Sequence, residues 1–188
     1  MGYDVHMSTR RIVPGRSEYA ADPIKGSRFV ATVVPIDTSE QARAVVSEVQ
    51  RRWPQATHHC WGYRLVDGVE RSSDDGEPGG SAGRPILAQI VGHEVAGVVV
   101  VVTRWYGGTK LGVGGLIRAY GGTAGKALDR AEIEEIELTI RVLIVHAYGD
   151  TGPVAAVLSS FGLEVANATY EADVRLDVLV PVARHAEL

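Results

Sequence analysis

Arg104, Lys110 and Arg118 bracket a run that holds Gly107, Gly108, Gly112, Gly114 and Gly115. Cations around a glycine loop suit an oxyanion such as a phosphate. Glycine admits positive φ and a close backbone approach, and a helix that starts after the loop offers unpaired N–H groups and a partial positive charge. Trp105 and Tyr106, just ahead of the loop, carry rings on which an unpaired base could stack. The spacing is neither G-x-x-x-x-G-K-[ST] nor G-x-G-x-x-G. Two readings therefore stand: an anion-binding corner, or a tight turn whose aromatics pack inward and whose Arg104 pairs with a carboxylate of the same chain.

A second group of chemically capable residues lies upstream. Asp74, Asp75 and Glu77 fall together in the turn-rich stretch 67–85, followed by Gly79, Gly80, Gly83 and Arg84. The carboxylates could hold a divalent cation, act as a general base, or pair with the cations of the glycine segment; a solvated loop is the plainer alternative. Nineteen irregular residues would be a long loop for a compact domain, and such loops are often functional. His58 and Cys60 share one face of an expected strand and could line the same pocket. They lack the further Cys or spaced His that a zinc site needs, so no metal is assigned. No catalytic constellation is complete, and a half-buried structural pair is the competing reading for His58 and Cys60.

The elements that must position these residues follow from periodicity. Val98 to Val102 is an unbroken β-branched run ahead of Arg104, the pattern of a central strand buried on both faces. From Val113 the period lengthens, placing Leu116, Ala119, Thr123, Ala127 and Ala131 on one helical face. Ser27–Pro35 and Thr57–Val66 read as strands, Pro85–His93 as a short helix. Between the first two, Thr38 and Gln41 have capping-box spacing ahead of a helix that Pro54 stops. Residues 1–24 lack periodicity and read as an arm. After the acidic run AEIEEIE, the order is strand 138–147, helix 154–161, then strands 165–170 and 174–181.

Bulk composition narrows the class. The chain has 188 residues, 45% of them hydrophobic, enough for one large or two small cores. No apolar run reaches bilayer length and MGYDVHMSTRR has no signal-peptide segment, so a cytoplasmic protein with no membrane role is expected. Cys60 is the single cysteine, which excludes an internal disulfide. Residues 1–130 hold 16 Lys or Arg against 13 Asp or Glu, and residues 131–188 hold 3 against 10. Such asymmetry points to two units with different surfaces. No cofactor is implied.

The segments SDDGEPGGSAGRPIL (72–87) and VVVTRWYGGTKLGVGGLIRAYG (100–121), with ATHHCWGYRL (56–65), closely resemble the YigZ/IMPACT family, of the bacterial type, over about residues 25–188. The resemblance implies an α+β protein of two domains. A ribosomal protein S5 domain 2-like domain would span 25–134, after the arm at 1–24. A ferredoxin-like domain would span 135–188, its β-α-β-β portion one helix and one strand short of the full unit. Eukaryotic members carry an additional N-terminal domain through which they dampen a kinase that represses translation initiation, and bacterial members are linked to nucleic acid or the ribosome by fold similarity. The leading expectation is a non-catalytic protein of translation or RNA metabolism, in which Arg84, Arg104, Lys110 and Arg118 contact phosphates and Trp105 or Tyr106 stacks on a base. An enzyme acting on a phosphorylated small molecule or nucleotide is the rival, and a protein-interaction module with a docking acidic domain the third reading.

Overall fold

The structure is a computed structural model, and it describes residues 8–182. The chain divides into two compact units at Glu135/Ile136. The first unit is built on an antiparallel five-stranded sheet of order β2-β3-β7-β4-β5: β2 Ser17–Ala20, β3 Arg28–Pro35, β4 His58–Arg64, β5 Glu70–Ser73 and β7 Val98–Trp105. Its central strand β7 is valine-rich because helices cover both of its faces. Val98, Val100 and Val102 pack under α2 (Gly83–Gly92) and α3 (Val113–Leu128), while Val99 and Val101 pack under α1 (Ser39–Arg52). A three-stranded sheet of order β6-β1-β8 adds β1 Ser8–Ile12, β6 Val95–Ala96 and β8 Ile133–Glu137.

Three expectations change. Residues 1–24 are not a featureless arm in their described part, because β1 and β2 both lie there. The stretch 67–85 is not one irregular loop either: β5 occupies Glu70–Ser73 and α2 begins at Gly83. Glu70–Ser73 is polar and short, so it carries no period-two signal and is ordered by pairing with β4 rather than by propensity. The helix after the glycine segment also ends at Leu128, leaving Ala131 beyond it.

Glycine decides how the helices meet. A Cβ on Gly125 would stand 2.6 Å from Gln89 Oε1 of α2, and one on Gly121 would touch Pro85. These positions, four apart on one face of α3, let α2 and α3 close to short range in parallel. A helix with five glycines is intrinsically poor, so its stability rests on this packing. At the start of α2, the Asp74 carboxylate accepts the N–H groups of Gly80 at 2.7 Å, Ala82 at 2.9 Å and Gly83 at 2.8 Å. Pro85, in the first turn, has no N–H to satisfy. The positive end of α2 is thus neutralised by its own chain.

The second unit has an antiparallel sheet of order β10-β11-β9, with β9 Thr139–His146, β10 Glu164–Tyr170 and β11 Val174–Pro181. The helix α4 (Thr151–Ser160) lies on one face through Val154 and Leu158, above Val174, Leu176, Val178 and Val180 of β11. Val157 of the same helix is exposed. Among the described residues, no helix is long and apolar enough to cross a membrane.

Burial opposes ionisation of Asp74, but the three N–H donors of Gly80, Gly83 and Ala82 outweigh it and hold its carboxyl below the ordinary 3.8. A depressed carboxyl stabilises the fold above its unfolded pKa and loses that contribution as pH falls through the folded value. Asp74→Ala should lower unfolding free energy by about 2 kcal/mol at neutral pH. Urea titrations of both proteins should converge as pH drops below ~4; a difference that does not shrink would contradict this assignment.

Candidate functional site

β7 ends at a backbone crossing. A Cβ on Gly107 would fall 1.9 Å from the carbonyl carbon of Gly26, so nothing larger than glycine fits there without moving the chain. The Gly107 N–H donates to Ser27 Oγ at 3.2 Å and the Tyr106 N–H to Thr57 Oγ1 at 3.0 Å, which fixes the exit of the strand. The chain then runs outward through Gly108 (φ +84°) to Gly112 (φ +74°), the residue before α3.

Beneath this exit lies a buried polar core. Arg104, 4% exposed, donates from Nη1 to Glu77 Oε1 at 2.6 Å and from Nη2 to Ser27 Oγ at 3.2 Å, while its Nε is buried without an acceptor. The same Glu77 oxygen accepts the Tyr120 hydroxyl of α3 at 2.6 Å. Arg104, placed in sequence as a phosphate contact, is therefore held by its own chain, as the alternative pairing with Glu77 allowed.

The other acidic residues are equally engaged. Asp74 is occupied by the start of α2, and Asp75 Oδ2 accepts the His59 N–H at 2.6 Å. His58 Nδ1 faces the Asp75 carbonyl at 2.7 Å, so that nitrogen carries the proton, and Nε2 stands 3.9 Å from Glu77. The Cys60 Sγ donates to the Asp74 carbonyl at 3.0 Å, and the residue is fully buried. Among the described residues no cluster of His, Cys, Asp and Glu could hold a metal ion. Asp75 and Glu77 fasten the loop to the sheet, and Asp74 fastens it to the start of α2.

What faces outward is the start of α3. Its first turn has no side-chain cap and no acidic residue, and the N–H groups of Val113, Gly114 and Gly115 have no acceptor among the described residues. Lys110, Gly112 and Val113 line an open cavity of about 330 Å³ with Tyr106, Leu111, Pro78, Leu116 and the Glu77–Arg104 pair. Arg118 is exposed one turn on, its guanidinium 3.6 Å from where a Gly114 Cβ would sit. Tyr106 is 45% exposed, with Arg104 5.4 Å from its ring centre.

Other residues expected at the site sit away from this cavity. Gly107 and Gly108, read in sequence as part of an anion cradle, do not line it. Gly107 is taken up by the crossing with Gly26. Gly108 is exposed, and a Cβ there would meet nothing within 4 Å, so its positive φ is what favours glycine, not the approach of a ligand. Trp105 is half-buried between Arg28, 3.7 Å from its ring centre, and Trp53, in edge contact at 5.6 Å, so its faces are already occupied. Arg84 stands at the start of α2 beside Asp74, and His58 and Cys60 lie under the loop. Sequence reading missed Ser27, Thr57 and Gly26, which come from distant segments and have no local motif. Tyr120 was within reach, since it follows Leu116 by four on the same helical face.

Burial first, with the nearby carboxylates of Glu77, Asp75 and Asp74, pushes the Cys60 thiol up to about 12 against a weaker opposing bond to Tyr120. The thiolate, the reactive form, is therefore scarce. An aromatic disulfide reagent at pH 8 should leave native Cys60 unmodified for hours and label it within minutes in denaturant. Prompt labelling of the native protein would show that the loop does not cover it.

Residues 25–128 match the model of the Impact N-terminal domain, and residues 144–188 match a domain of unknown function, DUF1949. The IMPACT family member YigZ of Escherichia coli is 36% identical over 94% of this chain and 88% of its own length. An IMPACT family member of Thermus thermophilus is 40% identical over 84% of this chain and 86% of its own. The crystal structure of a hypothetical protein, 34% identical, superposes with a TM-score of 0.77 over 96% of this chain and 89% of that one. Rabbit Protein IMPACT is 36% identical over 46% of this chain, a match covering 29% of its own length. The chain belongs to the IMPACT family, in its bacterial YigZ branch.

Proposed function

We propose that this protein is a non-catalytic binding protein linked to regulation of translation, which takes a phosphate of single-stranded RNA or of the ribosome at the start of α3. The observation that carries the reading is a contrast between two helices packed side by side. Asp74 occupies the amides at the start of α2, while those of Val113, Gly114 and Gly115 in α3 have no acceptor among the described residues, with Lys110 at the cavity beside Val113 and Arg118 beside Gly114. An anion there would gain N–H donors, two exposed cations and the positive end of a sixteen-residue helix. Tyr106 offers an exposed ring for the attached base, a role Trp105 cannot share while Arg28 and Trp53 cover it. Arg104 then acts as a positioning residue, holding Glu77 neutralised at the cavity wall.

The link to translation rests on family membership. The order β9, α4, β10, β11 with spatial order β10-β11-β9 supports reading the second unit as part of a ferredoxin-like domain. The five-stranded sheet with flanking helices supports the S5 domain 2-like reading of the first. The enzyme alternative loses its ingredients at the same site, because Asp74, Asp75 and Cys60 are consumed by internal hydrogen bonds.

Fluorescence anisotropy with a labelled single-stranded RNA tests this. Binding should weaken steeply with salt, and Lys110→Ala and Arg118→Ala should each lower the slope of log K against log salt by about 1. Tyr106→Ala should cost about 1–3 kcal/mol without changing that slope. Undetectable binding at low salt, or variants indistinguishable from the parent protein, would overturn the proposal.

A further inference from the structure

The chain segment that crosses Gly107 carries two exposed cations, Lys25 and Arg28. Among the described residues, the Lys25 ammonium has no ion pair and no hydrogen bond. The Arg28 guanidinium meets only the Trp105 ring, 3.7 Å from its centre. Around α1 the arginines behave otherwise: Arg16 pairs with Glu48, Arg43 with Glu40 and Arg52 with Glu18. Stacking fixes the plane of Arg28 and leaves the N–H groups at its edge unsatisfied, an arrangement that suits phosphate oxygens.

The turn that presents Lys25 is built against local propensity. Ile24 and Ser27 exchange both backbone hydrogen bonds, at 2.9 and 3.0 Å, around a two-residue tip with φ +47° at Lys25 and +80° at Gly26. Positive φ at both tip residues defines a type I′ turn, whose first position favours Asn, Asp or Gly. Lysine there costs stability and gives nothing to the turn, so its exposed charge is the property left to account for it.

Between these cations and the start of α3 the chain is bare backbone. Gly26, Gly107 and Gly108 are exposed, and Tyr106 stands just ahead of the crossing with its ring half open to solvent. Gly112 follows Gly107 by five residues, a span of at most about 17 Å. A strand of several nucleotides covers that distance, with phosphates at both ends and a base against Tyr106. We propose that the strand bound at the start of α3 continues over the glycine crossing to further phosphate contacts at Lys25 and the Trp105-stacked Arg28. The ligand is then an oligonucleotide segment and not a mononucleotide. This extension rests on the phosphate seat at α3, and it can fail while that seat stands.

Labelled oligouridylates of two and eight nucleotides, titrated into the full chain and followed by fluorescence anisotropy, test the extension. The octanucleotide should bind at least about fiftyfold more tightly than the dinucleotide, more than its additional binding registers supply. Lys25→Asn removes the charge and installs a residue that the turn favours, so its melting temperature should equal or exceed the parent's. That variant and Arg28→Gln should each lower the octanucleotide slope of log K against log salt by about 1, and leave dinucleotide affinity within about twofold. Lys126→Ala removes a charge from the last turn of α3, at the far end of the helix, and should leave the slope unchanged. A length gain no larger than the registers supply, or an equal change of slope in Lys126→Ala, would overturn the proposal. If Lys110→Ala lowers the slope while Lys25→Asn and Arg28→Gln do not, the seat at α3 stands and its extension falls.

Discussion

The corner of the first unit depends on a single buried ion pair. Glu77 enters from a loop, Arg104 from the end of β7, Ser27 from ahead of β3 and Tyr120 from α3, and all four meet around one carboxylate oxygen and one guanidinium. Two charges this deep are costly to desolvate, and removing one partner of such a pair typically costs about 3–5 kcal/mol. The two hydrogen bonds on Glu77 Oε1 and the Ser27 contact offset that cost. The pair ties a loop, two strands and a helix into one geometry, and its neutrality keeps Glu77 from repelling an anion at the cavity it lines.

The packing above it depends on close backbone approach. Gly26 against Gly107 brings two chain segments into backbone contact, and Gly121 and Gly125 bring α2 and α3 together at short range. The two helices run parallel, each with its N-terminus toward the same end of the packed pair. One end is filled by Asp74 and the other is left open. A chain with five glycines in α3 gives up intrinsic helix stability there, and the deep packing against β3, β7 and α2 compensates.

Much of this was legible in residue patterns, and the rest was not for identifiable reasons. The Val98–Val102 run marked the central strand, because covering both faces of a strand demands continuous apolar residues. The glycine-to-helix transition marked the start of α3 at Val113. β5 and β2 escaped notice since both are short and take their order from neighbours rather than from alternation. At the site, glycine spacing and Lys110 located the cavity, whereas the division of labour among charges depended on tertiary contact. The glycines themselves divide too: Gly107 serves a chain crossing and Gly108 a turn, which spacing alone does not separate from Gly112 at the cavity. Arg84, Arg104, Lys110 and Arg118 look alike in sequence. Only the fold separates Arg104, enclosed with Glu77, from Lys110 at the cavity and Arg118 in solvent. Likewise Asp74, Asp75 and Glu77 resemble a metal cluster until their acceptor atoms are traced to backbone amides and to Arg104.

The central claim is that the first turn of α3 holds an anion. A titration of the ¹⁵N-labelled protein with inorganic phosphate at low ionic strength, followed by two-dimensional amide NMR, tests it most directly. The account requires saturable shifts concentrated at Val113, Gly114 and Gly115, with the amides of Ala82 and Gly83 unmoved because Asp74 already occupies them. Shifts of equal size at both helix starts, or none at Val113–Gly115, would contradict it.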